Sequence, residues 1–152
     1  MKEILVRVSN LILLACAFAL PNFSEKVWAA ELQSKLAALE QCSAYSQAGM
    51  RECLEKKSRA SNAALKRAEE QATAAISKWD EDARFIDLAK KKLKATNKAY
   101  EQYRDAQCAF AYSLGGGAIG NALEMRRLTC RIELDIGRIK QLHTDMSTLS
   151  AK

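Results

Sequence analysis

The residues of this sequence with the clearest chemistry are five cysteines, Cys16, Cys42, Cys53, Cys108 and Cys130. Cysteines in small domains either bind zinc or form disulfides. The spacing of the cysteines along the chain and the redox state of the compartment indicate which of the two applies. The sequence has no C-x-x-C pair, and its one histidine, His143, offers a zinc site few further ligands. An even number of cysteines in an exported domain instead indicates disulfides, so the compartment has to be decided first.

The remaining polar residues do not suggest a catalytic centre. Adjacent acids, as in Glu69-Glu70 and Asp80-Glu81-Asp82, point in different directions on a helix, and no partner for acid–base work can be identified. The segment GGGAIG follows no predicted strand and lacks the G-K-S/T of a phosphate-binding loop. We therefore predict no enzyme, no cofactor and no metal site, and we expect His143 to interact with a helix end.

The first 29 residues have the three parts of a secretory signal. Lys2 and Arg7 give a basic start, residues 11–20 (LILLACAFAL) form an apolar run, and small residues stand at the −3 and −1 positions of the cleavage site, which follows Val27-Trp28-Ala29. Such a run is too short to span a bilayer as a helix; a buried first helix is the other interpretation. We predict cleavage after Ala29 or Ala30, a periplasmic or secreted location, and a single mature domain over residues 30–152.

Cys16 leaves a second form of export open. The segment Leu13-Leu14-Ala15-Cys16 resembles a lipoprotein box, in which an acylated Cys16 would hold the protein on a membrane. The apolar run continues past Cys16, however, whereas a lipobox cysteine normally closes it. Soluble export that removes Cys16 is our main prediction, and a membrane-anchored lipoprotein is the alternative.

Removal of the signal leaves four cysteines, and chain geometry favours one pairing. Bridged Cα atoms lie about 4.4–6.8 Å apart, whereas eleven residues of straight helix span about 16 Å. Cys42 and Cys53 can therefore pair only if the chain turns back between them, and Gly49 is placed to supply the turn.

The second pair follows the same logic, because Cys108 and Cys130 flank the glycines at 115–117. We predict two local disulfides, Cys42–Cys53 and Cys108–Cys130, each closing a helical hairpin.

The apolar pattern predicts helices throughout the mature chain. Apolar residues at helical spacing predict a first helix from Glu31 to about Tyr45. The 65 residues between Gly49 and Gly115 contain neither glycine nor proline. One apolar stripe follows helical spacing through this segment: Leu65, Ala68, Ala72, Ile76, Trp79, Ala83, Ile86, Leu93 and Tyr100.

One helix over all of this segment would be unusual in a globular domain, so we expect a break within it. We place this break at residues 77–82 (SKWDED), because Ser77 or Asp80 can cap a new helix and acidic residues are stabilising in the first turn of a helix. We predict the longest helix from Asp80 to about Tyr112, a glycine loop at 115–120, and a last helix from about Asn121. The predicted fold class is all-α: a small antiparallel bundle of about four helices stapled by two local disulfides.

The mature chain carries a moderate positive charge. Residues 1–29 hold three of the 24 basic and two of the 18 acidic residues, which leaves 21 and 16 and a net charge of +5. The one dense block, Lys90-Lys91-Lys92 with Lys94, fits a solvated helix face. Because nucleic-acid binding calls for a denser basic stripe or interleaved aromatics, we predict no nucleic-acid partner.

Residues 100–108 (YEQYRDAQC) resemble the W-x-x-Y-R-D-A-E-C signature of the LprI-type lysozyme-inhibitor family. Tyr103, Arg104 and Asp105 occupy its Y-R-D positions, and Tyr100 occupies the position of its tryptophan.

Further segments extend this resemblance over most of residues 40–142. The glycines at 115–117 resemble the family's G-G-S loop, and Cys42, Met50 and Cys53 fit its first cysteine pair. Residues 130–142 resemble C-x-x-x-L-T-x-x-R-x-x-x-L. Four positions depart from the family pattern: Asn for Gln at 97, Tyr for Trp at 100, Gly for Ser at 117 and Asp for Thr at 135.

The shared residues also have structural uses. By spacing, Tyr100, Tyr103 and Gln107 share one helix face. Arg104 could anchor the second reversal by binding helix-end carbonyls or a carboxylate, and Asp105 could bind amides of the glycine loop. We interpret the following family-motif residues as conformational rather than as a binding site: Tyr100, Tyr103, Arg104, Asp105, Gly115, Gly116 and Arg138.

The resemblance implies an exported protein that inhibits host lysozyme by protein–protein binding. Animal lysozymes are basic, and a chain of net charge +5 gains no long-range attraction to them. An acidic patch such as Asp80-Glu81-Asp82 would then have to dock. The alternative is a structural or interaction module of the cell envelope without lysozyme inhibition, whose basic surface suits anionic wall polymers or lipid headgroups.

Overall fold

The computed structural model describes residues 37–118 and 120–150, except for the side chain of residue 150. The predicted signal peptide over residues 1–29, with Cys16, lies outside the described residues. Within them the chain forms four helices and no strand, which confirms the predicted all-α class. The helices are α1, of which residues 37–42 are described, α2 (Gln47–Ser77), α3 (Ala83–Ser113) and α4 (Asn121–Ser150). The predicted start of the first helix at Glu31 lies outside the described residues.

The chain reverses between α1 and α2 at residues 43–46. Ser46 caps α2, because its Oγ accepts a hydrogen bond from the Gly49 N–H at 3.4 Å. Gly49 therefore lies in the first turn of α2 and not in the reversal, and α1 ends before Tyr45; both expectations were wrong. A Cβ at Gly49 would lie 3.0 Å from the Cβ of Tyr45, so the glycine lets the reversal approach α2 closely.

The predicted break in the long helical segment occurs at residues 78–82. Asp82 caps α3, because its Oδ1 accepts a hydrogen bond from the Arg84 N–H at 3.1 Å. Neither predicted cap is used: Ser77 ends α2 and Asp80 is exposed in the loop. Since α2 and α3 have 31 residues each, the expectation that the segment from Asp80 would be the longest helix was also wrong.

The glycine loop lies between α3 and α4, as predicted, and α4 begins at Asn121. Gly116 and Gly120 have φ of 56° and 80°, a backbone conformation that residues with a Cβ rarely adopt. Two glycines are therefore required for this reversal by its backbone alone.

The three long helices alternate in direction, so that α3 runs antiparallel to α2 and α4. Buried apolar side chains form two clusters between them. The first lies at the end where α1 meets α2 and α3 meets α4: Ala38, Cys42, Leu54, Leu128 and Ile132. The second lies farther along α2 and α4: Leu65, Ala68, Ala72 and Leu142.

Most of the apolar stripe predicted from spacing faces this interior. Its α2 members are buried, and four later members are partly buried: Trp79, Ile86, Leu93 and Tyr100. Ala83 is exposed, because it is the first residue of α3 and precedes the packed part of the helix.

Both predicted disulfides are present. The Cα atoms are 5.8 Å apart in Cys42–Cys53 and 5.5 Å apart in Cys108–Cys130. Each bridge closes a helical reversal, and both lie at the same end of the bundle as the first apolar cluster. Among the helices of the described residues, none is both long enough and apolar enough to cross a bilayer.

Candidate functional site

An ion pair between Arg104 of α3 and Asp135 of α4 lies in the interior. The Nη1 of Arg104 donates to Asp135 Oδ1 at 2.8 Å, and both residues are buried. The second carboxylate oxygen of Asp135 accepts a hydrogen bond from the Ser61 hydroxyl of α2 at 2.8 Å. One carboxylate therefore ties the three long helices together.

The surroundings of Arg104 keep it charged. Its Nη1 also donates to the side-chain oxygen of Asn62 at 3.2 Å. Burial alone lowers the pKa of Arg104, but the hydrogen bond and charge of Asp135 outweigh burial, and the pKa is raised above its ordinary value. Arg104 is therefore protonated, and its partner is a carboxylate, one of the two kinds of partner expected from the sequence.

A second buried arginine, Arg138, lies beside this pair. Its Nη2 donates to Asn97 at 3.0 Å and its Nη1 donates to Gln141 at 2.8 Å. The guanidinium carbon lies 5.5 Å from the ring centre of Tyr100, within cation–π range. Arg138 is thus held by amide oxygens and an aromatic face and positions α3 against α4.

The Tyr100 side chain is partly buried, and its hydroxyl has no hydrogen-bond partner among the described residues. Burial, followed by the charge of Asp135, raises the pKa of the Tyr100 phenol to about 12. Since this position is the tryptophan position of the resembled signature, the hydroxyl is an added polar group in an apolar seam.

Asp105 does not bind the glycine loop, contrary to expectation. Its Oδ1 lies 3.4 Å from Arg131 Nη2 and 3.5 Å from Arg104 Nε, while the side chain remains about half exposed. The N–H groups of Gly115 and Gly116 donate instead to backbone carbonyls of the last turn of α3. The loop is therefore closed by its own backbone.

Tyr103 does not share an environment with Tyr100, also contrary to expectation. Its side chain is 54% exposed, while Tyr100 packs against the second apolar cluster. The ring centres lie 6.4 Å apart. Of the motif residues, Arg104 and Arg138 are buried and Tyr103 is turned outward.

Two surface features are candidates for contact with other molecules. An apolar groove of about 530 Å³ lies beside the Cys108–Cys130 bridge, with Leu39, Phe110 and Met125 in its walls. At the opposite end of the bundle, the loop between α2 and α3 exposes Asp80, Glu81 and Asp82.

Sequence reasoning missed Asp135 as the partner of Arg104. The sequence did contain an indication of this partner. Asp135 lies at helical spacing between Ile132 and Ile139, and in the structure Ile132 is buried and Ile139 is partly buried. A charge within an apolar seam needs a buried partner. In the described part of the chain, no cluster of three or more His, Cys, Asp or Glu side chains could hold a metal ion, and His143 is exposed on α4.

Residues 37–142 match the family model described as lysozyme inhibitor LprI. The match covers 106 of the 152 residues and includes both disulfides and the Arg104–Asp135 pair. No curated protein and no solved structure matches the chain. With more than two thirds of its length matched, the chain belongs to the LprI family of lysozyme inhibitors.

Proposed function

We propose that this protein is exported and inhibits lysozyme by binding it as an intact folded protein. The family match over residues 37–142 carries the proposal, since this family is one of inhibitors and not of enzymes. Two disulfides fit a protein that works outside the reducing cytosol.

The α2–α3 loop is the surface that best suits a basic partner. From Lys78 to Asp87 the chain has four acidic and two basic residues, although its mature part is basic overall. Asp80 and Glu81 form no ion pair with other described residues, so their charge is available. Local attraction at this loop would offset the repulsion between two basic proteins.

The inhibition is tested by the rate at which a basic animal lysozyme clears suspended bacterial cell walls. We expect the oxidised protein to slow clearing in proportion to its concentration and to stop it in molar excess. An unchanged rate at a tenfold excess would overturn the proposal.

The docking surface is tested with the double variant Asp80→Asn/Glu81→Gln. Loss of the two charges should weaken inhibition about tenfold, as expected for one or two exposed pairs across an interface. The matched control is Glu40→Gln/Glu52→Gln, two exposed acids at the other end of the bundle. Equal effects of the two variants would exclude the loop while leaving inhibition itself intact.

Export is tested by the mass of the native protein. We expect a mature N-terminus at Ala30 or Glu31. A diacylglycerol-modified Cys16 at the N-terminus would instead establish the lipoprotein alternative, and an intact residue 1 would contradict export.

A second candidate function, an envelope interaction module without lysozyme inhibition, is favoured by the exposed lysines of α3: Lys91, Lys92, Lys94 and Lys98. A protein that leaves lysozyme fully active but co-sediments with anionic wall polymer would be such a module.

A further inference from the structure

Helix α3 carries a second apolar stripe on its solvent-exposed side. Seven large apolar side chains of the described residues are strongly exposed, and five of them lie on α3. Four form the stripe: Phe85, Leu88, Tyr103 and Phe110, exposed by 43–54%. By contrast, α3 buries only Arg104 and Cys108. The helix therefore keeps part of its large apolar surface in water on the side that faces away from the bundle.

The stripe is arranged symmetrically about Ala99. Leu88 and Phe110 lie eleven residues before and after Ala99, and Ala95 and Tyr103 lie four before and after it. All five positions follow the three- and four-residue spacing of one helix face. In an antiparallel pair of α3 helices centred on Ala99, Tyr103 of each copy would face the small Ala95 of the other, and Leu88 would face Phe110.

We propose that the protein forms an antiparallel homodimer through this stripe of α3. The face is self-complementary, as a twofold interface requires, because large side chains meet small ones near the axis. The alanine at the axis permits close approach of the two helices.

The size of the stripe suits a dimer. Each of the four large side chains is about half exposed and offers about 100 Å², which is about 800 Å² over two copies. Ala95, Ala99 and Ala106 add to this area, and a specific interface needs about 1,000 Å².

Charge disfavours two other occupants of the stripe. Lys90, Lys91, Lys94 and Lys98 lie along the same helix and would repel a basic protein such as lysozyme. In the antiparallel pair centred on Ala99, these lysines instead lie opposite residues 100–108 of the other copy, which include Glu101 and Asp105, so the two lysine segments do not face each other. Lys92 disfavours a lipid surface as the occupant. On helices that lie in a membrane interface, lysines stand at the edge of the apolar face, from which they reach the headgroups. Lys92 lies seven residues before Ala99, in the middle of the stripe. In the dimer Lys92 faces Ala106, whose small side chain leaves room for the lysine stem.

Light scattering after size exclusion tests the dimer with the oxidised protein at 5–200 μM, concentrations on the order of those that populate a micromolar dimer. We expect a mass twice that of one chain at the upper end. Tyr103→Glu should shift the protein to monomer and weaken dimerisation at least tenfold, with unchanged helicity by circular dichroism. Tyr45→Glu is the matched control, since Tyr45 is 59% exposed but lies off the stripe. A monomer at every concentration, or equal effects of the two variants, would overturn the proposal.

Single cysteine substitutions test the register. Ala99→Cys should form an intermolecular disulfide under mild oxidation, because the two copies of residue 99 meet at the axis. Ala106→Cys should not, since its two copies would be separated by 14 helical residues, about 21 Å. Equal cross-linking of both variants would contradict this register. Flotation of a monomeric protein with phosphatidylglycerol vesicles would show a lipid-binding face and overturn the dimer.

Discussion

Arg104 and Asp135 are two charges held out of water by one short contact and the hydrogen bonds around it. Desolvation of such a pair offsets most of its mutual attraction, so the intact pair adds little net stability compared with apolar side chains. Loss of one partner is different, because the remaining charge stays buried without compensation. The pair therefore acts mainly by specifying how α2, α3 and α4 fit together.

Asp135→Ala should lower the free energy of unfolding by about 3 kcal/mol or more, because Arg104 then remains buried with only the half-exposed Asp105, 3.5 Å from its Nε, as a counter-charge. Urea unfolding of the oxidised protein measures this value. The control is Glu124→Ala, which removes the partly exposed Glu124–Arg127 pair and should cost about 1 kcal/mol or less. Similar losses in the two variants would mean that the interior pair is not buried in solution.

Tyr100→Phe should leave the free energy of unfolding unchanged or raise it by up to about 1 kcal/mol, because it removes a buried hydroxyl without a partner.

The pKa of the Tyr100 phenol, raised to about 12, gives the same variant a second readout, the pH dependence of stability. The neutral phenol is favoured in the folded state, so its contribution is complete below pH 10 and is lost as pH rises through about 12. Stability should thus fall less steeply from pH 10 to pH 12 in Tyr100→Phe than in the unchanged protein. Equal slopes, or a loss of more than about 1 kcal/mol at neutral pH, would contradict this environment.

The role of Arg104 was only partly predictable from its neighbours in sequence. The motif placed it near the second bridge and suggested a carboxylate partner. Which carboxylate it binds depends on the relative rotation of α3 and α4, and local spacing does not determine that rotation. The partner of Asp105 was not predictable for the same reason. Asp105 contacts Arg131 of α4 and not the amides of the glycine loop, and this depends on how α4 packs against α3.

The helices themselves follow local sequence closely. The absence of glycine and proline from residue 50 to residue 114 predicted long helices, and the break at residues 78–82 was correctly located. The capping residue was harder to assign, because Ser77, Asp80 and Asp82 are all of a type that can cap a helix N-terminus. Gly49 was assigned to the reversal because it is the only glycine near Cys42 and Cys53. The Ser46 side chain instead accepts a hydrogen bond from the Gly49 N–H, so that α2 begins before Gly49.

Gly137→Ala should stabilise the protein by about 0.5–1 kcal/mol, because Gly137 is an exposed residue within α4 and helical glycine costs conformational entropy. A Cβ there would meet nothing within 4 Å. Thermal unfolding measures the effect. The opposite control is Gly116→Ala, whose φ of 56° should make the substitution destabilising. A loss of stability in Gly137→Ala would show that α4 is not a regular helix at this position.

The covalent cross-links of the described residues lie at one end of the bundle. Both disulfides and the first apolar cluster lie where α1 meets α2 and α3 meets α4. The α2–α3 loop with Asp80 and Glu81 lies at the other end, which no described disulfide closes. Chain-entropy arguments assign about 3 kcal/mol to each bridge, a large share of the stability of a domain this small. The bridges thus support the fold that presents the loop, at a distance from the loop itself.

Binding of fluorescently labelled lysozyme by the oxidised protein tests the central claim most directly. The anisotropy of the label should rise to saturation with one lysozyme bound per chain and a Kd on the order of micromolar or tighter. Prior reduction of both disulfides should abolish the rise, because the helical reversals are then no longer held. A flat titration with the oxidised protein at 100 μM, about a hundred times that Kd, would contradict the claim that this bundle is a lysozyme-binding protein.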